Sequence, residues 1–258
     1  MSFRVRHGGR NGISVLLNHK IFMSKLTIRS YEPELLDAPD IPKELLFQNL
    51  RELNFINKTL GGHAITLAGI RQLVTDKNKI YKIIDIGCGG GDAMQQISKW
   101  AKTNNFKVQL VGVDMNADCI DFMKNACRDY PGISGVVSDY RTYLETNNDV
   151  DIVHCSLFCH HLKDDELTEL FSYMEKYARA GFIINDLQRH WFAYYSIKFL
   201  TRLLNGSSLV KNDAPLSVWR GFKKEELDAL FVKAGLKKYS IKWKWAFRFL
   251  VVGKRGCH

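Results

Sequence analysis

The chain has 258 residues, of which 46% are hydrophobic and 25% are charged, a balance typical of a globular protein with one large core. No run of 18 apolar residues occurs, so the sequence predicts no membrane-spanning helix, and the apolar run ISVLL near the start is too short for a secretory signal. We therefore expect a cytoplasmic protein.

Positive charge is concentrated at the two ends of the chain. Residues 1 to 31 hold six lysines or arginines, residues 229 to 258 hold eight, and neither segment holds an acid. Residues 32 to 228 carry 23 basic and 27 acidic residues, a net charge of −4. A nucleic-acid enzyme needs positive charge around its cleft, so this distribution argues against a nucleic-acid partner. Solvated ends explain the charge, and peripheral contact with a membrane is the alternative.

The six cysteines include no CxxC pair, which predicts reduced, structural thiols. The segment from His154 to His161 contains imidazole and thiol groups and raises the hypothesis of a metal site. On a strand, however, neighbouring side chains such as those of His154 and Cys155 point to opposite faces and do not converge on one ion. We therefore predict no metal.

Three parts follow one another along the chain. Residues 1 to 22 form a basic extension that we expect to be disordered, and residues 23 to 78 form a helical cap. Residues 79 to 258 alternate between apolar strand-like runs and helical patterns, as a doubly wound α/β sheet does. The last two runs, at 239 to 245 and 247 to 253, predict an antiparallel hairpin.

The most informative segment is IIDIGCGGGD at residues 83 to 92, where a β-branched run stops in a glycine-rich loop. Glycines allow a sharp turn and a close approach of bare backbone to a ligand, and the helical pattern that follows presents its first amide groups to the same edge. The D-x-G-x-G-x-G spacing differs from the GxGxxG of dinucleotide folds, and no basic residue lies beside it to bind phosphate. The next strand-like run ends at Asp114, whose carboxylate suits the two hydroxyls of a free ribose.

With this motif and the acid after the second strand, residues 80 to 254 resemble the class I S-adenosylmethionine-dependent methyltransferases. The resemblance implies a Rossmann-like, doubly wound sheet of seven strands with a C-terminal antiparallel hairpin, an N-terminal helical cap and an inserted helix after the fifth strand. YEPELLDAPDIP, FIINDLQRHWFAYYSIKFLTRLL and NDAPLSVWRGF also resemble a bacterial subgroup that methylates small phenolic, quinone-like or polyketide-derived molecules. We expect O-methylation of such an acceptor by S-adenosylmethionine, with S-adenosylhomocysteine as the product.

The resemblance also implies a cofactor site at the carboxyl ends of the strands. Asp114 would bind the ribose, Asp139 the adenine amine, and Met115 and Tyr140 would pack against the adenine ring. The alternative for Asp139 is that it only caps a helix. The predicted cofactor-binding residues are Asp85, Gly87, Cys88, Gly89, Gly91, Asp114, Met115, Asp139, Tyr140 and Leu157.

Four residues are candidates for chemistry on the acceptor: His160, His161, Asp186 and His190. Imidazoles titrate near neutral pH, so His160 or His161 could take a proton from an acceptor hydroxyl. Asp186 ends the fifth strand, where it could orient or deprotonate that hydroxyl. A cap and salt-bridge cluster at the start of the next helix is the alternative for Asp186 and His190.

Residues 189 to 220 form an insertion after the fifth strand. Its first part predicts an amphipathic helix, in which Trp191, Phe192, Tyr194 and Tyr195 form either an apolar wall of the cleft or core. The Ser-, Asp- and Pro-containing part that follows predicts a loop. Two other functions stay open, namely a nucleic-acid or protein methyltransferase and a cofactor-binding module without turnover.

Overall fold

The computed structural model describes residues 26–38 and 40–255, and the predicted extension at 1 to 22 lies outside them. Its centre is a seven-stranded sheet. The strands are β1 (Ile80–Ile86), β2 (Lys107–Asp114), β3 (Ile133–Val137), β4 (Ile152–Ser156), β5 (Gly181–Leu187), β6 (Tyr239–Lys244) and β7 (Arg248–Lys254). Their order in the sheet is β3-β2-β1-β4-β5-β7-β6.

Strands β1 to β5 run parallel, and β7 pairs antiparallel with both β5 and β6. The predicted Rossmann-like sheet with a C-terminal hairpin is therefore confirmed. Because β2 and β3 lie on one side of β1 while β4 and β5 lie on the other, the strand order reverses between β1 and β4. A crevice for ligands opens at the carboxyl ends of strands at such a reversal.

Helices cover both faces of this sheet. The α-helices of the described residues are α1 (Lys43–Thr59), α2 (Gly62–Leu73), α3 (Asp92–Thr103), α4 (Ala117–Ala126), α5 (Tyr140–Thr146), α6 (Asp164–Tyr177), α7 (Trp191–Leu203), α8 (Ser208–Arg220) and α9 (Lys224–Lys233), with short 3-10 turns at Leu35–Asp37 and Cys159–His161. Alternate side chains of β1 fill two cores, since Ile84 and Ile86 pack on one face and Tyr81 and Ile83 on the other. Among these helices none is long and apolar enough to cross a membrane.

The two helices before β1 have different positions. A Cβ on Gly69 of α2 would lie 2.7 Å from Cγ2 of Ile183 and 3.1 Å from Cδ1 of Leu250, so α2 rests directly on β5 and β7. Helix α1 instead extends over the crevice, where Leu53 and Ile56 face it. Within the predicted cap, α1 is thus the part that covers the crevice.

The segment after α7 is helix α8, and the prediction of a loop there is wrong. The Ser207 hydroxyl accepts the backbone N–H of Val210 at 3.2 Å and caps the helix. Pro215 lies inside α8, where its ring removes one helical hydrogen bond. Burial of Leu209 and Val218 outweighs that loss. The sequence of this segment suggested a loop because it contains a proline and many polar residues, and because the buried face of α8 has only a few apolar residues.

Helix α8 in turn anchors the chain that enters the crevice. Asp213 is buried, and its two carboxylate oxygens accept the backbone N–H groups of Leu35 and Leu36, each at 2.9 Å. These bonds hold the 3-10 turn that begins at Leu35. The neighbouring side chain of Glu34 is therefore fixed at the crevice wall.

Asp92, at the start of α3, ties both N-terminal helices to the glycine loop. Its Oδ2 accepts a hydrogen bond from Nδ2 of Asn57 at 3.0 Å and lies 2.6 Å from Nε2 of His63. Burial alone would raise the pKa of Asp92, but the bonds from His63 and Asn57 outweigh burial and hold the pKa below its ordinary 3.8.

We expect Asp92→Asn to lower the free energy of unfolding by about 1–3 kcal/mol near neutral pH, because it leaves partly buried polar partners poorly paired. Since the folded-state pKa lies below 3.8, the contribution is complete above 3.8 and is lost as the pH falls through the folded value. Urea unfolding across this range measures it. Asp149→Asn, in an exposed pair with Lys82, is the matched control and should cost at most about 1 kcal/mol. Equal stability of Asp92→Asn and the wild type near neutral pH would contradict this account.

Candidate active site

A cavity of about 1190 Å³ opens at the carboxyl ends of β1, β2, β4 and β5. Helices α1 and α7, the turn at Leu35–Asp37 and the hairpin between β6 and β7 contribute its other walls. Ligand sites commonly measure about 300–1,000 Å³. The cavity therefore has room for a cofactor together with a second small molecule.

The glycine loop forms the floor of this cavity at the end of β1. Gly87 has φ +64°, and a Cβ there would lie 2.2 Å from Cδ2 of Phe158. Gly91 has φ +75° at the start of α3, and a Cβ there would lie 2.5 Å from Cγ of Met123. Both positions need glycine for their conformation and for close packing. Residues 87–90 line the cavity, whereas Gly91 packs behind them and does not.

Cys88 lies in this loop, but its thiol turns away from the cavity into the sheet. A Cβ on Gly112 of β2 would lie only 2.7 Å from Sγ of Cys88. Burial raises the pKa of the thiol well above its usual value, so the sulfur stays protonated. Cys88 is thus among the residues that line the cavity, although its thiol packs against β2.

Asp114 ends β2 beside the loop. One carboxylate oxygen accepts the N–H of Gly89 at 3.1 Å and the other accepts the N–H of Asn116 at 3.0 Å. Burial raises the pKa of Asp114. Met115 follows at the cavity wall with 75% of its surface exposed. Asp114 and Met115 therefore face the cavity, where the sequence placed the ribose and one face of the adenine.

Asp139 and Tyr140 lie next along this rim. Asp139 caps α5 by accepting the N–H of Arg141 at 2.7 Å, and it pairs with the Arg141 guanidinium at 2.9 Å. The capping alternative is therefore realised, although Asp139 also lines the cavity. The Tyr140 hydroxyl is buried and has no hydrogen-bond partner among the described residues.

Asp85, at the end of β1, is held by a buried network that the sequence did not reveal. Its Oδ1 lies 2.7 Å from Nδ1 of His154, whose Nε2 lies 3.3 Å from the Thr66 hydroxyl. Asn185 donates to the same hydroxyl at 3.1 Å. Asp85 and His154 are register partners on the adjacent strands β1 and β4, a pairing that needs the strand order to be known. The network fixes the Asp85 carboxylate at the cavity edge.

Leu157, just after β4, adopts the left-handed conformation with φ +54°. Non-glycine residues enter this region at an energetic cost and often do so at functional sites. The N–H of Leu157 donates to the carbonyl of Asn185 at 2.9 Å, which holds the turn against β5. The backbone of Leu157 and Phe158 therefore bends into the cavity beside the glycine loop.

Histidines and carboxylates from distant parts of the chain meet at one wall of the cavity. Nδ1 of His160 lies 2.7 Å from Oδ1 of Asp186, and Nδ1 of His161 lies 2.9 Å from Oδ1 of Asp37. Glu34 faces both rings, with Oε1 3.6 Å from Nε2 of His160 and Oε2 3.9 Å from Nε2 of His161. We call these five residues the histidine–carboxylate cluster. The sequence predicted His160, His161 and Asp186 but missed Glu34 and Asp37.

Charges within the cluster shift three pKa values. Burial alone would raise the pKa of Asp37, but its bond to His161 and the charges of His161 and Arg220 lower that pKa below its usual range. Burial alone would raise the pKa of Asp186. The His160 imidazole lowers this pKa by more than burial raises it, so the net pKa is below the usual value. Burial would lower the pKa of His161, but the bond to Asp37 and the charge of Glu34 outweigh burial and raise it. Asp186 therefore stays ionised and orients His160 from behind, and it does not itself face an acceptor.

Two buried arginines hold the Cys159–His161 turn in place. Arg220 donates to the carbonyls of His160 at 3.0 Å and His161 at 2.8 Å. Arg29 donates to the carbonyls of His160 at 3.1 Å and Leu162 at 2.7 Å. Both guanidinium groups come from segments more than 50 residues away in sequence, so no local pattern could have identified them.

His190 lies apart from this cluster and does not line the cavity. Its Nδ1 accepts the N–H of Phe192 at 3.2 Å and caps α7, and its ring stacks on Phe247 with centroids 4.7 Å apart. The capping alternative therefore describes His190, and it is not part of the function proposed below.

The remaining wall is apolar. Leu53 and Ile56 of α1 and Ile197 and Leu200 of α7 contribute to it, together with the aromatic residues Phe158, Phe192, Trp243, Trp245 and Phe247. Of the aromatic residues predicted in the insertion, Phe192 lines the cavity, whereas Trp191 and Tyr195 border a separate recess and Tyr194 packs into a core.

The polar part of the cavity lining contains nine carboxylates and two guanidinium groups. Its charge repels a polyanion.

Residues 83–181 match the family model described as a methyltransferase domain. Among solved structures, human N-acetylserotonin methyltransferase in complex with S-adenosylmethionine superposes with a TM-score of 0.59 at 13% identity, over 96% of this chain and 68% of that chain. The plantazolicin methyltransferase BpumL, in complex with S-adenosylhomocysteine, gives 0.58 at 14% identity over 93% and 100%. The citrinin polyketide synthase CMeT domain gives 0.53 at 9% identity over 73% of this chain, which spans 50% of that chain's length.

At these identities the solved structures establish a common fold. The family match covers the strands and loops from β1 to the start of β5, which carry the predicted cofactor residues. Residues 83–181 therefore match a methyltransferase domain, which agrees with the predicted class of S-adenosylmethionine-dependent methyltransferase.

Proposed function

We propose that this enzyme transfers the methyl group of S-adenosylmethionine to an oxygen of a small, largely apolar acceptor. The observation that carries the proposal is the position of His160, backed by Asp186 at 2.7 Å, on the wall of a cavity that also contains the glycine loop. One cavity thus holds a cofactor site and a group able to take a proton.

The cofactor half of the cavity fits S-adenosylmethionine. We assign the ribose hydroxyls to Asp114, since an anionic acceptor binds two hydroxyl donors well. Met115, Asp139 and Tyr140 line the cavity where an adenine bound next to that ribose would lie. The glycine loop and the backbone at Leu157 are assigned to the methionine part.

The acceptor half favours a flat, apolar molecule. Trp245 and Phe247 of the hairpin, Phe192 of α7 and Ile56 of α1 offer it little except apolar contact. The excess of carboxylates in the lining disfavours a nucleic-acid acceptor. A phenol or quinol combines a flat apolar body with one hydroxyl for the histidine–carboxylate cluster.

The proposed chemistry needs little from the protein beyond alignment and proton removal. When bound, S-adenosylmethionine supplies the methyl group, whose bond to sulfur breaks as the acceptor oxygen bonds to carbon, leaving the electron pair on sulfur. Holding the two reactants in line supplies up to ~7–11 kcal/mol. Nε2 of His160 takes the hydroxyl proton and later releases it to water, while Asp186 fixes the ring and stabilises its protonated form.

The test is incubation of the purified protein with methyl-labelled S-adenosylmethionine and a panel of phenols and quinols, followed by mass spectrometry. We expect one methyl group on oxygen for at least one acceptor, together with an equal amount of S-adenosylhomocysteine. Methylation of RNA or protein that weakens as salt rises would favour a macromolecular substrate instead. Binding of S-adenosylhomocysteine without any product would support the non-catalytic alternative.

A further inference from the structure

We propose that Glu34, His160 and His161 bind a divalent transition-metal ion at the acceptor end of the cavity. One ligand atom from each residue lies within 4.8 Å of the other two. The distances from Nε2 of His160 and of His161 to the Glu34 carboxylate, 3.6 Å and 3.9 Å, are too long for hydrogen bonds. They are close to the ~3.3–3.5 Å that separates neighbouring nitrogen and oxygen ligands around a tetrahedral zinc ion.

The hydrogen bonds of both rings point the same way. Asp186 and Asp37 are acceptors at the Nδ1 atoms, at 2.7 Å and 2.9 Å, so each Nδ1 carries a hydrogen. Both Nε2 atoms then face the Glu34 carboxylate, where they are placed to act as ligands. Metal-binding histidines typically donate their other ring N–H to a carboxylate in this way.

The three ligands are rigidly held before any ion binds. Glu34 accepts the Ser217 hydroxyl at 2.8 Å, and its side chain is only 3% exposed. The turn that carries both histidines is fixed by the bonds from Arg29 and Arg220 to its carbonyls. Preorganised ligands lose little conformational entropy on binding an ion.

The charge of the surroundings also suits a divalent cation. Glu34, Asp37 and Asp186 bring three negative charges to the two imidazoles. Arg220 supplies one positive charge, 3.0 Å from Asp37 and 4.0 Å from Glu34, whereas Arg29 pairs with Asp164 at 3.0 Å outside the cluster. The buried Arg248 also acts on Asp186, so the three carboxylates exceed the guanidinium groups of Arg220 and Arg248 by one charge, which favours a cation.

Two imidazoles and one carboxylate are a common ligand set for zinc and iron at sites that keep open positions. Because Glu34, His160 and His161 all line the cavity, those positions would face the acceptor. The role of the ion rests on the proposed function, although its binding does not. A bound ion would coordinate the acceptor hydroxyl and lower the pKa of that hydroxyl, whose proton would pass to water. In the metal-loaded enzyme the two imidazoles would be ligands, and the ion would replace His160 as the activating group.

The test is titration of the chelator-treated, full-length protein with Co²⁺, followed by visible absorption, and with Zn²⁺, followed by calorimetry, in the absence of cofactor and acceptor. We expect one ion per chain for the wild type. Glu34→Gln and His161→Asn should each weaken binding by at least ~100-fold, and Asp37→Asn by about 10- to 100-fold. His190→Asn, which keeps a helix cap, is the matched control and should bind as the wild type does.

Titration of the same samples with S-adenosylhomocysteine shows that each variant is folded and separates the two proposals. Cofactor binding without stoichiometric metal binding would overturn the metal site and leave the proposed function standing. Metal binding that Glu34→Gln leaves unchanged would also overturn it, since the ion would then lie elsewhere. Metal binding without cofactor binding would contradict the proposed function alone.

Discussion

Asp114→Ala is expected to bind S-adenosylhomocysteine ~10²- to 10⁴-fold more weakly than the wild type. The substitution removes the anionic acceptor that we assign to two ribose hydroxyls, and a hydrogen bond to a charged group contributes about 1.5–3 kcal/mol. It also frees the N–H of Gly89, which Asp114 holds at 3.1 Å in the glycine loop. Calorimetry of both proteins at equal concentration measures the difference.

The matched control for this variant is Asp121→Ala, because Asp121 is an exposed acid on α4 that pairs with Lys43 and does not line the cavity. It should bind the cofactor normally. Burial raises the pKa of Asp114, so wild-type binding should weaken with acid at a higher pH than an ordinary carboxylate would predict. Normal affinity of Asp114→Ala would contradict the assignment of the ribose to this residue.

His160→Gln is expected to lower kcat by ~10²- to 10⁴-fold while leaving the affinity for S-adenosylhomocysteine unchanged. Glutamine retains a polar group but neither takes a proton at neutral pH nor ligates a metal as imidazole does. The loss is therefore expected whether His160 acts as the base or as a metal ligand. Steady-state kinetics with the acceptor found by the screen, beside a cofactor titration, measures both quantities.

Two further variants test whether the loss of kcat is specific to His160. Asp186→Asn should lower kcat less and change the pH profile, because Asp186 positions the ring and does not touch the acceptor. His190→Asn should retain full activity, since His190 caps α7 outside the cavity. Wild-type kcat in His160→Gln would remove the histidine–carboxylate cluster from the mechanism.

The sequence predicted the strands, the glycine loop and the closing hairpin because these features are local. β-branched runs, glycines at fixed spacing and an acid at the end of a strand are visible without tertiary contacts. Helix α8 was missed because Pro215 and several polar residues suggested a loop, whereas packing of Leu209 and Val218 decides the local structure. Tertiary packing here outweighed local preference.

Site residues that lie next to a predicted strand could be identified from the sequence, whereas residues brought in from distant segments could not. His160 and His161 follow a strand directly, so their position at the cavity follows from the fold. Glu34 comes from a segment 126 residues before His160, and its approach depends on the anchoring of that segment by Asp213 of α8. The sequence also raised His154 as a possible ligand beside His160 and His161, whereas Nδ1 of His154 lies 2.7 Å from Oδ1 of Asp85.

The most direct test of the central claim is a crystal structure of the protein grown with S-adenosylhomocysteine. The account predicts the nucleoside in the cavity, with its ribose hydroxyls on Asp114, its adenine beside Asp139 and Tyr140, and its sulfur directed toward His160. Density for the nucleoside at another place on the protein, or with the ribose away from Asp114, would contradict it.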